Sequence, residues 1–217
     1  MESFPISIGK RRSGRAAGVA INIILVVLIV IILAEIVFFS RFRRFYVVGE
    51  SMYPTLIGAE RTVSGRIRSG GDYVYADTQA QPQRGDIVVI TTEDGDGQMT
   101  TIIKRVIAFG GETVELEGGV LFINGEEIAE PYINTDYNDP DYINNNYGPV
   151  TVEEECIFVL GDNRNASNDS RGEYGFIPAG DVVGVVEEWS LEVRWLVTPV
   201  CTFFDFTLPS VFSGCGA

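Results

Sequence analysis

Three kinds of apolar pattern follow one another along the chain. Residues 16–34 form a run without a charge, in which only Asn22 is polar. As a helix rising 1.5 Å per residue this run spans roughly 28 Å, close to the ~30 Å hydrocarbon thickness of a bilayer. A core helix of that length would show a polar face, and this one has none, so the pattern predicts a transmembrane segment. From residue 44 to 195 the pattern changes to short apolar or β-branched runs punctuated by Gly, Pro and Asn, with almost no helical period. Residues 73–76 and 86–92 read as strands bounded by Gly71, Pro82 and Gly85, and 101–108 as another. Residues 113–117 alternate, Gly118-Gly119 turns the chain, 120–123 return, and Asn124-Gly125 turns it again, which are hairpin signals. Residues 157–160 and 181–189 predict two further buried strands. Residues 134–149, rich in Asn, Asp and Pro, read as a surface loop. The third pattern, residues 195–217, is apolar and aromatic with Phe203, Phe204, Phe206 and Phe212, but Pro199, Asp205 and Pro209 interrupt it and argue against a second span. Two placements suit this tail: in the membrane interface, or over the β domain.

The chain thus divides into a basic cytoplasmic tail (1–15), a transmembrane signal anchor (16–39), a mainly β extracytoplasmic domain (40–194) large enough for its own core, and the apolar tail (195–217). An uncleaved anchor is favoured over a cleaved secretory signal, because cutting after Ala34 would place Ile32 where a small residue is wanted. Lys10, Arg11, Arg12 and Arg15 precede the run and Arg41, Arg43 and Arg44 follow it, a bias of four to three for an inside amino terminus. Phe38, Phe39, Phe42, Phe45 and Tyr46, interleaved with those arginines, read as an interfacial belt.

Charge narrows the classes of partner. Through Arg44 the chain carries seven basic and two acidic residues, leaving nine basic and 28 acidic for the rest, a net of −19. Nucleic acid, which needs a basic surface, is therefore not an expected partner, whereas the lipid bilayer is. Cys156, Cys201 and Cys215 are an odd set, so they cannot all pair within one chain, and a Cys201–Cys215 bridge stays open. No zinc spacing is present, and neither a metal nor another cofactor is expected.

The candidate chemistry starts from an absence. With no histidine in 217 residues, a Ser-His-Asp triad is excluded. A serine nucleophile then needs another base, and a lysine whose ammonium is destabilised by burial is the practical one. The chain has two lysines, and Lys10 lies before the membrane run, on the far side if that run spans. Lys104 is the remaining one. It sits in Thr101-Ile102-Ile103-Lys104-Arg105-Val106-Ile107-Ala108, where alternation places Ile102, Lys104, Val106 and Ala108 on one strand face. Such company should lower its pKa, as a general base requires. The serine is Ser51, in Gly49-Glu50-Ser51-Met52-Tyr53-Pro54-Thr55-Leu56, at most about 43 Å of extended chain beyond Phe39. Taken singly, a serine in a turn is usually a turn former and a strand lysine usually faces solvent.

Four segments resemble, in order, the motifs of the type I signal peptidases, the bacterial leader peptidases. Ser51-Met52-Tyr53-Pro54-Thr55-Leu56 is similar to that family's nucleophile motif, and Arg84-Gly85-Asp86-Ile87-Val88-Val89 to its short structural motif. Ile103-Lys104-Arg105-Val106-Ile107 through Gly110-Gly111-Glu112-Thr113-Val114 resembles its general-base motif. Gly161-Asp162-Asn163-Arg164-Asn165-Ala166-Ser167-Asn168-Asp169-Ser170-Arg171, followed by Gly175-Phe176-Ile177-Pro178, resembles its last block. Together they span about residues 45–190.

The resemblance implies a signal-peptidase-like β-sheet or barrel domain behind one transmembrane helix, with Ser51 as nucleophile and Lys104 as general base. It implies that Ser167 hydrogen-bonds the lysine amine, and that Arg105, Asp162, Arg164, Asp169 and Arg171 support the site without taking part in the chemistry. The Ser51 N–H is the expected oxyanion donor. One branch of the family has a donor serine two residues before the nucleophile, where this chain has Gly49, so the second donor is open. Met52 is expected to help line the substrate pocket. The implied substrates are secretory preproteins cut after small residues at −1 and −3. Two other classes fit parts of the pattern: self-cleaving repressors, against which the anchor and acidity argue, and a membrane-tethered β module that binds without catalysis.

Overall fold

The computed structural model describes residues 13–60, 70–93, 97–133 and 146–193. The chain divides after Arg41 into two compact units. The first contains helix α1, Ser13–Arg41, of which Ala17–Arg41 is long and apolar enough to cross a membrane. Its large apolar side chains are exposed all round, the distribution that a lipid-facing helix has and a soluble one avoids. Arg41 in the last turn sits where a cation complements the helix dipole.

The second unit is built on antiparallel strands. A seven-stranded sheet runs in the order β1 (Phe42–Tyr46), β2 (Tyr73–Asp77), β11 (Val182–Val186), β3 (Ile87–Glu93), β4 (Met99–Phe109), β9 (Cys156–Leu160) and β10 (Ile177–Pro178). A four-stranded sheet runs β7 (Glu126–Ile128), β6 (Val120–Ile123), β5 (Thr113–Glu117) and β8 (Tyr147–Thr151). The two tight turns expected in this second sheet are present. Gly118 and Gly119 have φ of 57° and 84°, and Asn124 and Gly125 53° and 81°, the doubly left-handed geometry that matches strand twist. A buried cluster containing Ile107, Ala108, Val114, Leu121, Phe158 and Leu160 joins the sheets through β4 and β9.

Phe42, Phe45 and Tyr46, part of the stretch read as an interfacial belt, belong to β1 and pair with β2, Tyr46 opposite Tyr73. Two expectations change. The strand predicted over 181–189 ends at Val186, and Glu188–Glu192 forms a short helix, α2. There the Ser190 hydroxyl accepts the Tyr75 N–H at 2.7 Å and Glu187 donates to the Tyr75 carbonyl at 3.1 Å. Those bonds occupy the β2 edge, and Trp189 stacks on Tyr75, so strand pairing stops. Residues 147–149, read as loop, lie in β8, which pairs with β5. Cys156 in β9 is free. Residues 134–145 of the predicted loop, the tail after 193, and Cys201 and Cys215 lie outside the described residues.

Candidate active site

The turn bearing Ser51 is shaped by its backbone. Gly49 has φ of +81°, its N–H bonds the Ala59 carbonyl at 2.9 Å, and Ala59 N–H bonds the Val47 carbonyl at 2.9 Å. Gly58 packs against the Gly49 backbone so closely that a Cβ there would overlap it. Met52 and Leu56, one helical turn apart with a 2.9 Å bond from Leu56 N–H to the Met52 carbonyl, insert into a cluster with Val47, Val74, Ala76, Ile87 and Val89. The turn is thus anchored from below while Ser51 stays partly exposed. Met52 itself is only 2% exposed: it packs the core and offers almost no surface for lining a pocket.

Lys104 stands in β4 directly opposite Val88 of β3. Val88, Ile90 and Val106 are fully buried in one cluster, and Lys104 beside them is 4% exposed. Its Nζ lies 2.7 Å from Ser51 Oγ and 3.2 Å from the Ile103 carbonyl oxygen. Burial draws its pKa down from 10.5 to about 8, against the attraction of Asp169 and then Asp162, which raise it. About one-tenth of Lys104 is therefore neutral at pH 7, far more than for a free lysine, and it is held within reach of a hydroxyl proton.

The 161–171 block braces both residues. Arg105 Nε donates to Asp162 Oδ1 at 2.8 Å and Arg105 Nη2 to Asp162 Oδ2 at 2.6 Å, a bidentate pair, while Nη1 donates to the Gly85 carbonyl at 2.6 Å. The Arg84-Gly85-Asp86 segment thus serves as a turn that receives Arg105. Thr55 Oγ1 donates to the same Asp162 at 2.5 Å. Asn163 N–H donates to the Ser51 carbonyl at 3.0 Å, and its Nδ2 to the Glu50 carbonyl at 3.2 Å. Asp169 receives Arg171 through both oxygens at 2.9 Å and the Gly161 N–H at 3.1 Å. Arg164 pairs with Glu130, which also accepts the Tyr132 hydroxyl at 2.6 Å, and Tyr132 lies under the Arg105 guanidinium, 3.8 Å from ring centroid to carbon. Burial, with Glu130 beside it, pushes the Tyr132 phenol well above its usual range. The acidic side chains Asp162 and Asp169 are thereby committed to guanidinium partners.

Ser167 is brought into the same neighbourhood, and its placement differs from expectation. Its Oγ is buried without a hydrogen-bond partner, so the bond to Lys104 that the resemblance implies is not formed here. A Cβ on Gly161 would strike both Ser167 Oγ and the Ser51 carbonyl oxygen, so both pack against the same face of that glycine. Thr55, Asn163, Glu130 and Tyr132 were not singled out from sequence. Thr55 and Asn163 lie inside the recognised segments, whereas Glu130 and Tyr132 carry no local signal. Among the described residues, no group of three or more Cys, Asp or Glu side chains is arranged to hold a metal ion.

Comparison with known proteins identifies the family. The family model described as "Signal peptidase, peptidase S26" matches residues 20–190. Signal peptidase I P of Bacillus subtilis subsp. natto is 37% identical over 172 residues, 77% of this chain and 86% of its own. A signal peptidase I of Bacillus amyloliquefaciens is 38% identical over 147 residues, 66% of this chain and 70% of its own. The crystal structure of a signal peptidase I from Enterococcus faecalis V583, 33% identical, aligns with 50% of this chain and 98% of its own at a TM-score of 0.42. With a family match across most of its length and relatives above one-third identity, the chain belongs to the signal peptidase family, peptidase S26, and is a serine endopeptidase.

Proposed function

We propose that this protein is a membrane-anchored endopeptidase that removes signal peptides from secretory preproteins with a Ser51/Lys104 dyad. The observation that carries the reading is the 2.7 Å contact between Lys104 Nζ and Ser51 Oγ, made by a lysine whose pKa burial lowers to about 8. Neutral Lys104 takes the Ser51 proton as Oγ attacks the scissile carbonyl, the resulting ammonium protonates the leaving amine, and water then hydrolyses the acyl-enzyme. The Ser51 N–H donates to the carbonyl oxygen as it becomes an oxyanion.

Support for anchoring comes from α1, whose exposed apolar surface suits a bilayer. With its amino terminus in the cytoplasm, the β domain lies outside, where a signal peptide's cleavage site emerges. An extended substrate with small residues at −1 and −3 pairs with strand backbone, as suits a mainly β enzyme. Arg105, Asp162, Arg164, Asp169 and Arg171 hold the frame, and Gly49 supplies no side-chain oxyanion donor.

The deciding experiment is cleavage, in detergent, of a preprotein with an Ala-x-Ala site by the wild type, Ser51→Ala and Lys104→Ala. Cleavage at that site by the wild type alone is expected. Retained cleavage in both folded variants would discard the dyad, and no cleavage by the wild type would favour a tethered binding module.

A further inference from the structure

The peptide between Glu50 and Ser51 carries the N–H to which the reading above assigns the oxyanion. That N–H donates to no described residue, so it is free to meet a substrate. Its aim is another matter. In a trans peptide the N–H and the C=O point in opposite directions within one rigid plane, so whatever grips the Glu50 carbonyl also aims the Ser51 N–H. Two donors grip it: the Tyr53 N–H at 3.0 Å, within the turn itself, and Asn163 Nδ2 at 3.2 Å, from the far side of the chain. Asn163 N–H also holds the Ser51 carbonyl at 3.0 Å, fixing the next peptide plane. Asn163 is itself buried, Asp162 beside it is clamped by Arg105 and Thr55, and its own carbonyl accepts the Ala166 N–H at 3.1 Å.

We infer that Asn163 is the positioning residue of the oxyanion hole: its side-chain amide orients and polarises the Glu50–Ser51 peptide so that the Ser51 N–H meets the developing negative charge. The inference rests on the Ser51/Lys104 reading and adds to it. A donor on a carbonyl draws electron density through the amide and makes the N–H of that peptide a better donor. The arrangement matters more here than in an enzyme with a side-chain donor in reserve. Gly49, two residues before the nucleophile, has none to offer. Preorganised donors lose their value when they must reorient during the reaction.

The test measures kcat and KM for an Ala-x-Ala preprotein across pH, together with the affinity of a peptide boronate ending in alanine, for the wild type, Asn163→Ala and Asn163→Asp, with Ser51→Ala as control. The boronate forms a tetrahedral adduct on the serine and reports the oxyanion site directly. The expected result is a fall of about 10- to 100-fold in the alkaline plateau of kcat, KM within about threefold of wild type, and boronate affinity weakened in step with kcat/KM. A residue that acted only through Lys104 would move the midpoint of the pH profile and leave the plateau in place. Asn163→Asp keeps the size of the side chain and the backbone bonds, so it decides the matter if Asn163→Ala unfolds. Plateau activity and boronate affinity equal to wild type in a folded variant would overturn the inference while leaving the dyad standing. Cleavage that survives Ser51→Ala would overturn the dyad, and this inference with it.

Discussion

Lys104 Nζ sits 2.7 Å from Ser51 Oγ in a setting that disfavours its own charge. Folded Lys104 gives up its proton near pH 8, whereas in the unfolded chain it does so near 10.5. Between these values the unfolded chain binds more protons, so this group makes stability rise with pH through that window. Below pH 8 both states are protonated, and the fold carries the full cost of a buried ammonium, roughly 3 kcal/mol. Lys104→Met is therefore expected to abolish cleavage yet raise Tm at pH 7, with the gain fading toward pH 10.5. Thermal melts at both pH values check this. A Tm at pH 7 no higher than wild type would count against the burial account.

The same lysine predicts the pH dependence of the reaction. With chemistry limiting, kcat should climb to half its maximum near pH 8, because only neutral Lys104 accepts the Ser51 proton. Asp169 and Asp162 both favour the ammonium, Asp169 more strongly. Asp169→Asn and Asp162→Asn should each move the midpoint to lower pH, the former further, since losing a carboxylate and leaving its guanidinium unpaired act in the same direction. A shift to higher pH in either variant would show that the charge on Lys104 is governed by other groups.

The parts of this molecule that sequence reveals share a local cause, and the parts it hides share a distant one. Gly118-Gly119 and Asn124-Gly125 announce their hairpins because the left-handed geometry is a property of those residues themselves. The strand around Lys104 is legible because alternation is a short-range pattern. The proximity of Ser51 and Lys104, 53 positions apart, is readable only through chemistry, from the lack of histidine and the scarcity of lysine. By contrast, the aromatic and arginine composition of Phe42–Tyr46 does not announce its pairing with β2, which depends on residues about 30 positions further along the chain. Helix α2 spans five residues, too few to show a period. Glu130 meets Arg164 across 34 positions, with nothing in its neighbours to announce the pairing.

That Glu130–Arg164 contact yields a stability prediction. Arg164 is 3% exposed, and its Nε bonds the Gly161 carbonyl at 3.1 Å. Removing the Glu130 carboxylate deprives a buried guanidinium of this ion pair and also strands the Tyr132 hydroxyl. Glu130→Ala should destabilise the β domain by about 3–5 kcal/mol, and Glu130→Gln by less, because the amide oxygen still accepts. Urea denaturation of both variants checks the order. Near-equal losses would mean that packing, not charge, sets the value of this contact.

Gly49 and Gly161 both flank Ser51, yet they should respond oppositely to alanine. At Gly49 the backbone has φ of +81° but a Cβ would meet nothing within 4 Å. The substitution costs only backbone strain, about 1–2 kcal/mol, and should leave most of the cleavage rate in the fraction that folds. At Gly161 no left-handed angle is involved, but the new methyl would collide with the Ser51 carbonyl oxygen and with Ser167 Oγ. Relief requires moving either the nucleophile's backbone or the buried serine. A displacement of about 1 Å at reacting atoms costs on the order of 100-fold in rate, so Gly161→Ala should lose kcat far beyond its loss of stability. Rates measured well below each variant's Tm separate the two effects. If Gly161→Ala kept wild-type kcat while Gly49→Ala lost it, the backbone freedom of Gly49 would be needed in the reaction itself, and the close packing at Gly161 would be dispensable.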